Sequence, residues 1–167
     1  MLNLIKKFIL KKSNGIPLNI YFTNLVFQKI FRIDSQCNFS KNYTSRVLCS
    51  EKIIIENNSE TVLKSFAVSG GCYIQGCEGI YIGEGTIWSF NVSIISQGHD
   101  FYDLNIIPKV NSIKIGKNCW IGTNSTILPG IELGDRTIVG ANTVVTKSFP
   151  EGNVIIAGTP AKIVRKL

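Results

Sequence analysis

The chain has 167 residues, 44% of them hydrophobic, and carries a formal charge of +7. That length and apolar share exclude a disordered chain and fit one domain with a core of its own. No run of 18 or more apolar residues occurs, so a membrane-spanning helix is not expected, and the charge comes without the basic and aromatic interleaving or the motifs of a nucleic-acid binder.

Residues 1–12, MLNLIKKFILKK, read as a short amphipathic helix with Leu2, Ile5, Phe8 and Ile9 on one side. Two roles fit it: a cap on the end of the following structure, or peripheral membrane contact aided by Lys6, Lys7, Lys11 and Lys12. Lys11 and Lys12 break the apolar run early and no small-residue cleavage site follows, so a signal peptide is not expected. A cytoplasmic location follows, with the inner membrane face as its variant. Residues 20–31 form a second apolar stretch, helix or strand, set apart by Gly15 and Pro17. From Cys37 to Ile55 the pattern turns towards β, with Ile53, Ile54 and Ile55 as its clearest strand. Residues 55–82 predict an irregular first turn, with Val68, Ile74, Ile80 and Ile82 pointing inward.

Five cysteines, Cys37, Cys49, Cys72, Cys77 and Cys119, are odd in number and include no CxxC pair. With a single histidine they predict neither a disulfide framework nor a metal site, and reduced thiols are expected.

From Ile115 the chain repeats every six residues: Ile115, Ile121, Ile127, Leu133, Val139 and Val145 are aliphatic. Glycine follows four of them, at Gly116, Gly122, Gly134 and Gly140, and mostly small residues stand four places on. This period fits neither a helix nor one long alternating strand. Short strands of about five residues turning at glycine-containing corners fit a parallel β-solenoid with faces one hexapeptide wide. Upstream, Ile82, Trp88 and Ile94 occupy the same positions. From Ile82 to Ile115 is 33 residues, 15 more than one three-sided turn of 18. The surplus falls in Asp100 to Lys114, immediately after Gly98-His99, and an unpatterned loop inside a compact repeat points to function. His99, the chain's only histidine, stands at its root.

Four blocks carry a likeness: Ser96-Gln97-Gly98-His99-Asp100, Trp120-Ile121-Gly122, Gly140-Ala141-Asn142, and Ala157-Gly158-Thr159-Pro160-Ala161-Lys162. In order and spacing they resemble the hexapeptide-repeat acyltransferases, in the branch of galactoside, maltose and capsule O-acetyltransferases. The resemblance runs from about Ile74 to Leu167. It implies a left-handed parallel β-helix, a winding opposite to the usual crossover hand. The expected organisation is an N-terminal cap segment over 1–50, the β-helix over 51–152 with an inserted loop at 100–114, and a closing segment over 153–167.

The resemblance also implies an acetyl-CoA-dependent transfer to a sugar-type hydroxyl, without metal, in a homotrimer whose sites lie between neighbouring chains. An alcohol needs a base, and imidazole titrates near neutrality, so His99 is the expected general base. Asp100 is adjacent, but neighbours along a strand point to opposite faces, so it is not the expected orienter of the ring, and the sequence offers none better. By the likeness, Asn91 and Trp120 meet substrate, with a turn corner and ordinary packing as their plain alternatives. Thr123 and Ala141, one whole turn apart, lie along the pantetheine arm. Thr146 and Lys147 lie near the nucleotide, and Lys162 and Arg165 meet phosphates. Lysine at 162 stands where the family often has arginine, keeping the charge but losing the bidentate fork. No GxSxG elbow is present and Cys119 sits at a core position, so direct transfer without an acyl-enzyme is expected, with a backbone N–H stabilising the oxyanion.

Several rivals are weaker. One histidine cannot build the three-histidine zinc site of the carbonic anhydrases that share this fold. A silent scaffold would lack a loop after a histidine, and a serine O-acetyltransferase-like enzyme would carry a longer helical N-terminal region. N-acetylation of an amino-sugar nucleotide is left open. Phe101 and Tyr102 suit either a sugar ring or a subunit interface.

Overall fold

The computed structural model describes residues 15–167, so the helix expected over 1–12 lies outside the described residues. The chain winds as a three-sided prism. Sheet A stacks β1 (Arg46–Leu48), β3 (Tyr73–Gln75), β6 (Ser93–Ile95), β9 (Thr126–Ile127) and β12 (Val144–Val145). Sheet B stacks β2 (Ile53–Ile55), β4 (Ile80–Ile82), β7 (Ile113–Ile115) and β10 (Glu132–Leu133). Sheet C stacks β5 (Ile87–Trp88), β8 (Trp120–Ile121), β11 (Ile138–Val139) and β13 (Val154–Ala157), and β14 (Lys162–Lys166) runs antiparallel along β13. Every other pairing between strands is parallel. The architecture is the left-handed β-helix.

Strands are shorter than the expected five residues; most pair over only two or three. Half of each hexad is spent on the corner. The aliphatic of every hexad faces inward, and Ile82, Ile94, Ile115, Ile121, Ile127, Leu133, Val139 and Val145 are all buried. Each contributes roughly 1.5–3 kcal/mol by leaving water. The residue four places on is small because it must fit inside the corner. It is often polar because the corner leaves carbonyls unpaired: Thr86 Oγ1 donates to Gly116 O at 2.7 Å, and Ser125 Oγ to Gly140 O at 2.8 Å.

The glycines of the repeat answer to the neighbouring coil rather than to backbone freedom. A Cβ on Gly83 would stand 2.5 Å from the Gly116 carbonyl carbon, and one on Gly122 would stand 2.7 Å from Ala141 N. Asparagine takes the corners that need positive φ, at Asn91 (58°), Asn124 (59°) and Asn142 (57°), where its short amide tolerates the left-handed conformation.

The first coil is irregular, as its sequence implied, and the cause is a helix. After α1 (Leu18–Leu25) and a π turn (Val26–Ile30), β1 and β2 lay down two sides, and α2 (Glu60–Val68) replaces the third strand. Val68 is therefore not an inward strand residue; it ends α2 half-buried, while Phe66 packs edge-on against Trp88 at 4.7 Å. A tryptophan at a position aliphatic elsewhere fills the space under the helix. The stretch at 20–31 is helical, and Asn24 and Gln28 on it are buried, donating to Ala67 O and Phe39 O. Lys41 is wholly buried against Asp34 at 3.3 Å and donates to Ser45 O at 2.7 Å. Burial works to raise the Asp34 carboxyl. The Val47 backbone N–H, the charge of Lys41 and the side-chain hydrogen bonds from Lys41 and Arg46 outweigh it and hold the group below the usual carboxylate range.

The expectation of reduced thiols fails at one pair. Cys49 and Cys77 form a disulfide, with Cα atoms 5.1 Å apart. Their separation of 28 residues hides the contact in the sequence, because α2 lengthens that coil; β1 and β3 are register neighbours, and the two cysteines follow them at the same edge. Cys37, Cys72 and Cys119 are free and buried.

Candidate functional site

The inserted loop runs over 96–112 rather than the expected 100–114, because Ile113 and Lys114 already pair in β7, and it leaves the prism at the edge between sheets A and B. Ile82 and Ile115 pair directly across it, so the coil is not interrupted. The root of the loop is anchored to the coil before it. Ser96 N donates to Gln75 O at 3.0 Å, and Ser96 Oγ accepts from Glu78 N at 3.0 Å.

His99 is exposed, and its Nδ1 lies 2.7 Å from Leu104 O. A carbonyl oxygen only accepts, so Nδ1 carries the proton and Nε2 keeps its lone pair. The orienter is thus a backbone atom. Asp100 does not touch the ring: its Oδ1 accepts from Tyr102 N at 2.8 Å and Asp103 N at 3.1 Å, and these bonds hold its carboxyl below the usual range. Phe101 and Tyr102 stand almost fully in solvent, 97% and 99% exposed, in contact with nothing that would fix them within one chain.

The other expected site residues divide between two edges. Asn91, Thr123 and Ala141 stack along the edge between sheets C and A, with Asn142 N donating to Thr123 O at 2.9 Å. Lys162 opens β14 opposite Ala157, at the same edge, while Arg165 lies opposite Ile155 farther along sheet C. Trp120 is outward on sheet C, 49% exposed, in a row with Ile87, Ile138 and Ile155. Thr146 and Lys147 sit at the edge between sheets A and B, two coils beyond His99, and Lys147 Nζ lies 5.6 Å from the Phe149 ring centre. A face of about six residues at ~3.3 Å each places roughly 15–20 Å between the two edges. Within one chain His99 shares an edge of the prism with Thr146 and Lys147, and not with Asn91, Trp120, Thr123, Ala141, Lys162 or Arg165.

Two features escaped the sequence reading. The Leu104 carbonyl could not be found, because main-chain atoms carry no residue signature. The asparagine column could have been: Asn91, Asn124 and Asn142 are spaced by one loop-containing and one plain coil, and Asn124 Nδ2 donates to Asn142 Oδ1 at 3.2 Å. No activated nucleophile competes with the histidine among the free thiols, since burial pushes Cys37, Cys72 and Cys119 up. Among the described residues no cluster of three or more His, Cys, Asp or Glu could hold a metal ion, and no helix is long and apolar enough to cross a membrane.

The profile described as "Hexapeptide repeat of succinyl-transferase" matches residues 112–147. The chain is 32% identical over 155 residues to an Escherichia coli (strain K12) protein provisionally named lipopolysaccharide biosynthesis O-acetyl transferase WbbJ, covering 84% of this chain and 76% of that one. It is 35% identical over 91 residues to the galactoside O-acetyltransferase of the same organism, covering 53% of this chain and only 44% of the relative. The crystal structure of a maltose O-acetyltransferase from Clostridium difficile 630 superposes with a TM-score of 0.53 at 30% identity, covering 75% of this chain and 60% of the other. With its inward hexads, its inserted loop after Gly98-His99 and a relative matched over most of both chains, this protein belongs to the hexapeptide-repeat acyltransferases, in the O-acetyltransferase branch.

Proposed function

We propose that the protein transfers acetyl from acetyl-CoA to a hydroxyl of a sugar, in a polysaccharide, a lipopolysaccharide or a precursor of either, with His99 as general base. The hydrogen bond from His99 Nδ1 to Leu104 O carries this reading, because it leaves Nε2 as a fixed acceptor at an exposed position. In the proposed reaction the acceptor hydroxyl gives its proton to Nε2 as its oxygen attacks the thioester carbonyl carbon. A backbone N–H stabilises the oxyanion, the carbon–sulfur bond breaks, and the imidazolium returns its proton to the leaving thiolate. The names of the relatives, which refer to lipopolysaccharide biosynthesis, galactoside and maltose, support a sugar-type acceptor.

The coenzyme is placed along Thr123 and Ala141 through their backbone groups. Lys162 and Arg165 meet its phosphates, Thr146 and Lys147 lie near its nucleotide, and Asn91 and Trp120 border the acceptor. These residues occupy two edges, so the complete site requires a neighbouring chain, and a homotrimer supplies one at each of three boundaries. The outward row of Ile87, Trp120, Ile138 and Ile155 supports such packing, since an apolar stripe of this kind is buried by association.

Two measurements test the proposal. Free thiol is followed with acetyl-CoA against sugars, sugar nucleotides and amino-sugar nucleotides; release with hydroxyl acceptors is the expected result. Release confined to amino-sugar nucleotides would replace O-acetylation by N-acetylation. In the second, inactive His99→Ala and inactive Trp120→Ala chains are co-refolded. Trimers with shared sites regain about a quarter of wild-type activity by random mixing. No recovery from intact mixed trimers would place each site within a single chain.

A further inference from the structure

Resting on His99 as base, we propose that Asp100 is a positioning residue that acts on His99 through the Leu104 carbonyl. The atom that fixes the imidazole belongs to the loop apex, and the loop apex has almost no packing: Phe101, Tyr102 and Leu104 are 97%, 99% and 72% exposed. Hydrophobic contact within the chain therefore cannot hold the Leu104 carbonyl in place.

A closed set of hydrogen bonds does so instead. Asp100 Oδ1 gathers the N–H groups of Tyr102 (2.8 Å) and Asp103 (3.1 Å), and Asp100 N donates to Ile106 O (2.9 Å). Ile106 N donates back to Asp103 O at 3.0 Å. Asp103 Oδ1 takes both Asn105 N at 2.9 Å and Asn105 Nδ2 at 3.0 Å. Leu104 lies inside this ring of contacts, and its carbonyl is the one that meets His99 at 2.7 Å. The residue beside the histidine thus serves it without touching it. Aspartate suits the task because a short carboxylate closes a turn onto the N–H groups two and three residues on.

An Asx turn needs an acceptor oxygen, not a charge, and this gives the test. Asp100→Asn keeps the acceptor, Asp100→Ser keeps a weaker one, and Asp100→Ala removes it. Steady-state kinetics on the full-length proteins, with His99→Ala alongside, are expected to give kcat within about threefold of wild type for Asn, a loss of roughly 10- to 100-fold for Ala, and Ser between them. KM for acetyl-CoA and the melting temperature are expected to stay near wild-type values, since no residue of the loop apex is assigned to the coenzyme and Phe101, Tyr102 and Leu104 are exposed within the chain. Wild-type kcat in Asp100→Ala would overturn the proposal, and so would equal losses in Asn and Ala, which would make the charge the active feature. If Asp100→Ala does not fold, the order of Asn above Ser still decides. Should His99→Ala retain activity, the assignment of the base fails first, and that outcome is distinct from a wild-type Asp100→Ala beside an inactive His99→Ala.

Discussion

Alanine at position 99 is expected to lower kcat by about 10²- to 10⁴-fold, the usual contribution of a positioned general base. KM for acetyl-CoA should change little, because in the proposed reaction the imidazole takes the acceptor's proton and is assigned no part in holding the coenzyme. The size of the effect follows from the nucleophile. An alcohol attacks a thioester poorly until its proton has a destination, and among the described residues no activated thiol offers a covalent detour, since the free cysteines are buried. The lost base also makes a second prediction for the same variant. Hydroxide can replace it in part, so the residual rate of His99→Ala should climb more steeply with pH on the alkaline side than the wild-type rate does. Residual activity within tenfold of wild type, on a protein that still binds acetyl-CoA, would remove His99 from the mechanism.

The second large effect concerns stability. Gly83→Ala should cost about 3 kcal/mol and lower Tm by roughly 6–12 °C. Its new Cβ would stand 2.5 Å from Gly116 C, 2.6 Å from Gly116 O and 2.6 Å from Lys117 N. All three are main-chain atoms of the next coil and cannot rotate away. They are also held from the other side: Gly116 N donates to Leu133 O at 2.8 Å, and Lys117 N donates to Asp135 Oδ1 at 2.7 Å. Relief would mean prising apart the pairing of Ile82 with Ile115 at the rung that carries the His99 loop. Gly98→Ala is the control, because a Cβ there has nothing within 4 Å. It should move Tm by less than about 2 °C. Equal melting temperatures for the two variants would show that the hexad glycine is a matter of turn propensity rather than of clearance between coils.

How much of this could be read from residues alone depends on how often each feature repeats. The β-helix was legible because one rung is written six times, so that Ile115, Ile121 and Ile127 vouch for one another. The loop was legible as the arithmetic remainder between Ile82 and Ile115. The first coil was not, since its third side is a helix that occurs once, and the signal there was a single odd tryptophan at position 88. The Cys49–Cys77 link was missed for a related reason: cysteine counting treats spacing as distance, and α2 lengthens the chain between two corners that are adjacent in space. At the site, the histidine could be named from its loop, whereas its partner could not, because Leu104 contributes only a carbonyl that any residue would supply. The division of the remaining residues between two edges needed the strand order, which assigns Ala141 and Thr146 to different corners although they are five residues apart.

The antiparallel β14 has a consequence for how such a molecule lives in a crowded solution. A stack of parallel rungs is by its nature open-ended, and its last rung would offer a free row of N–H and C=O groups to any other copy that came near. The strand laid back against β13 reverses the chain direction on sheet C, and five exposed residues, three of them Lys162, Arg165 and Lys166, face outward from it. A second prism arriving there would meet the wrong polarity and concentrated positive charge. The same three cations that the proposed reaction assigns in part to phosphates thereby guard the end of sheet C against edge-to-edge pairing.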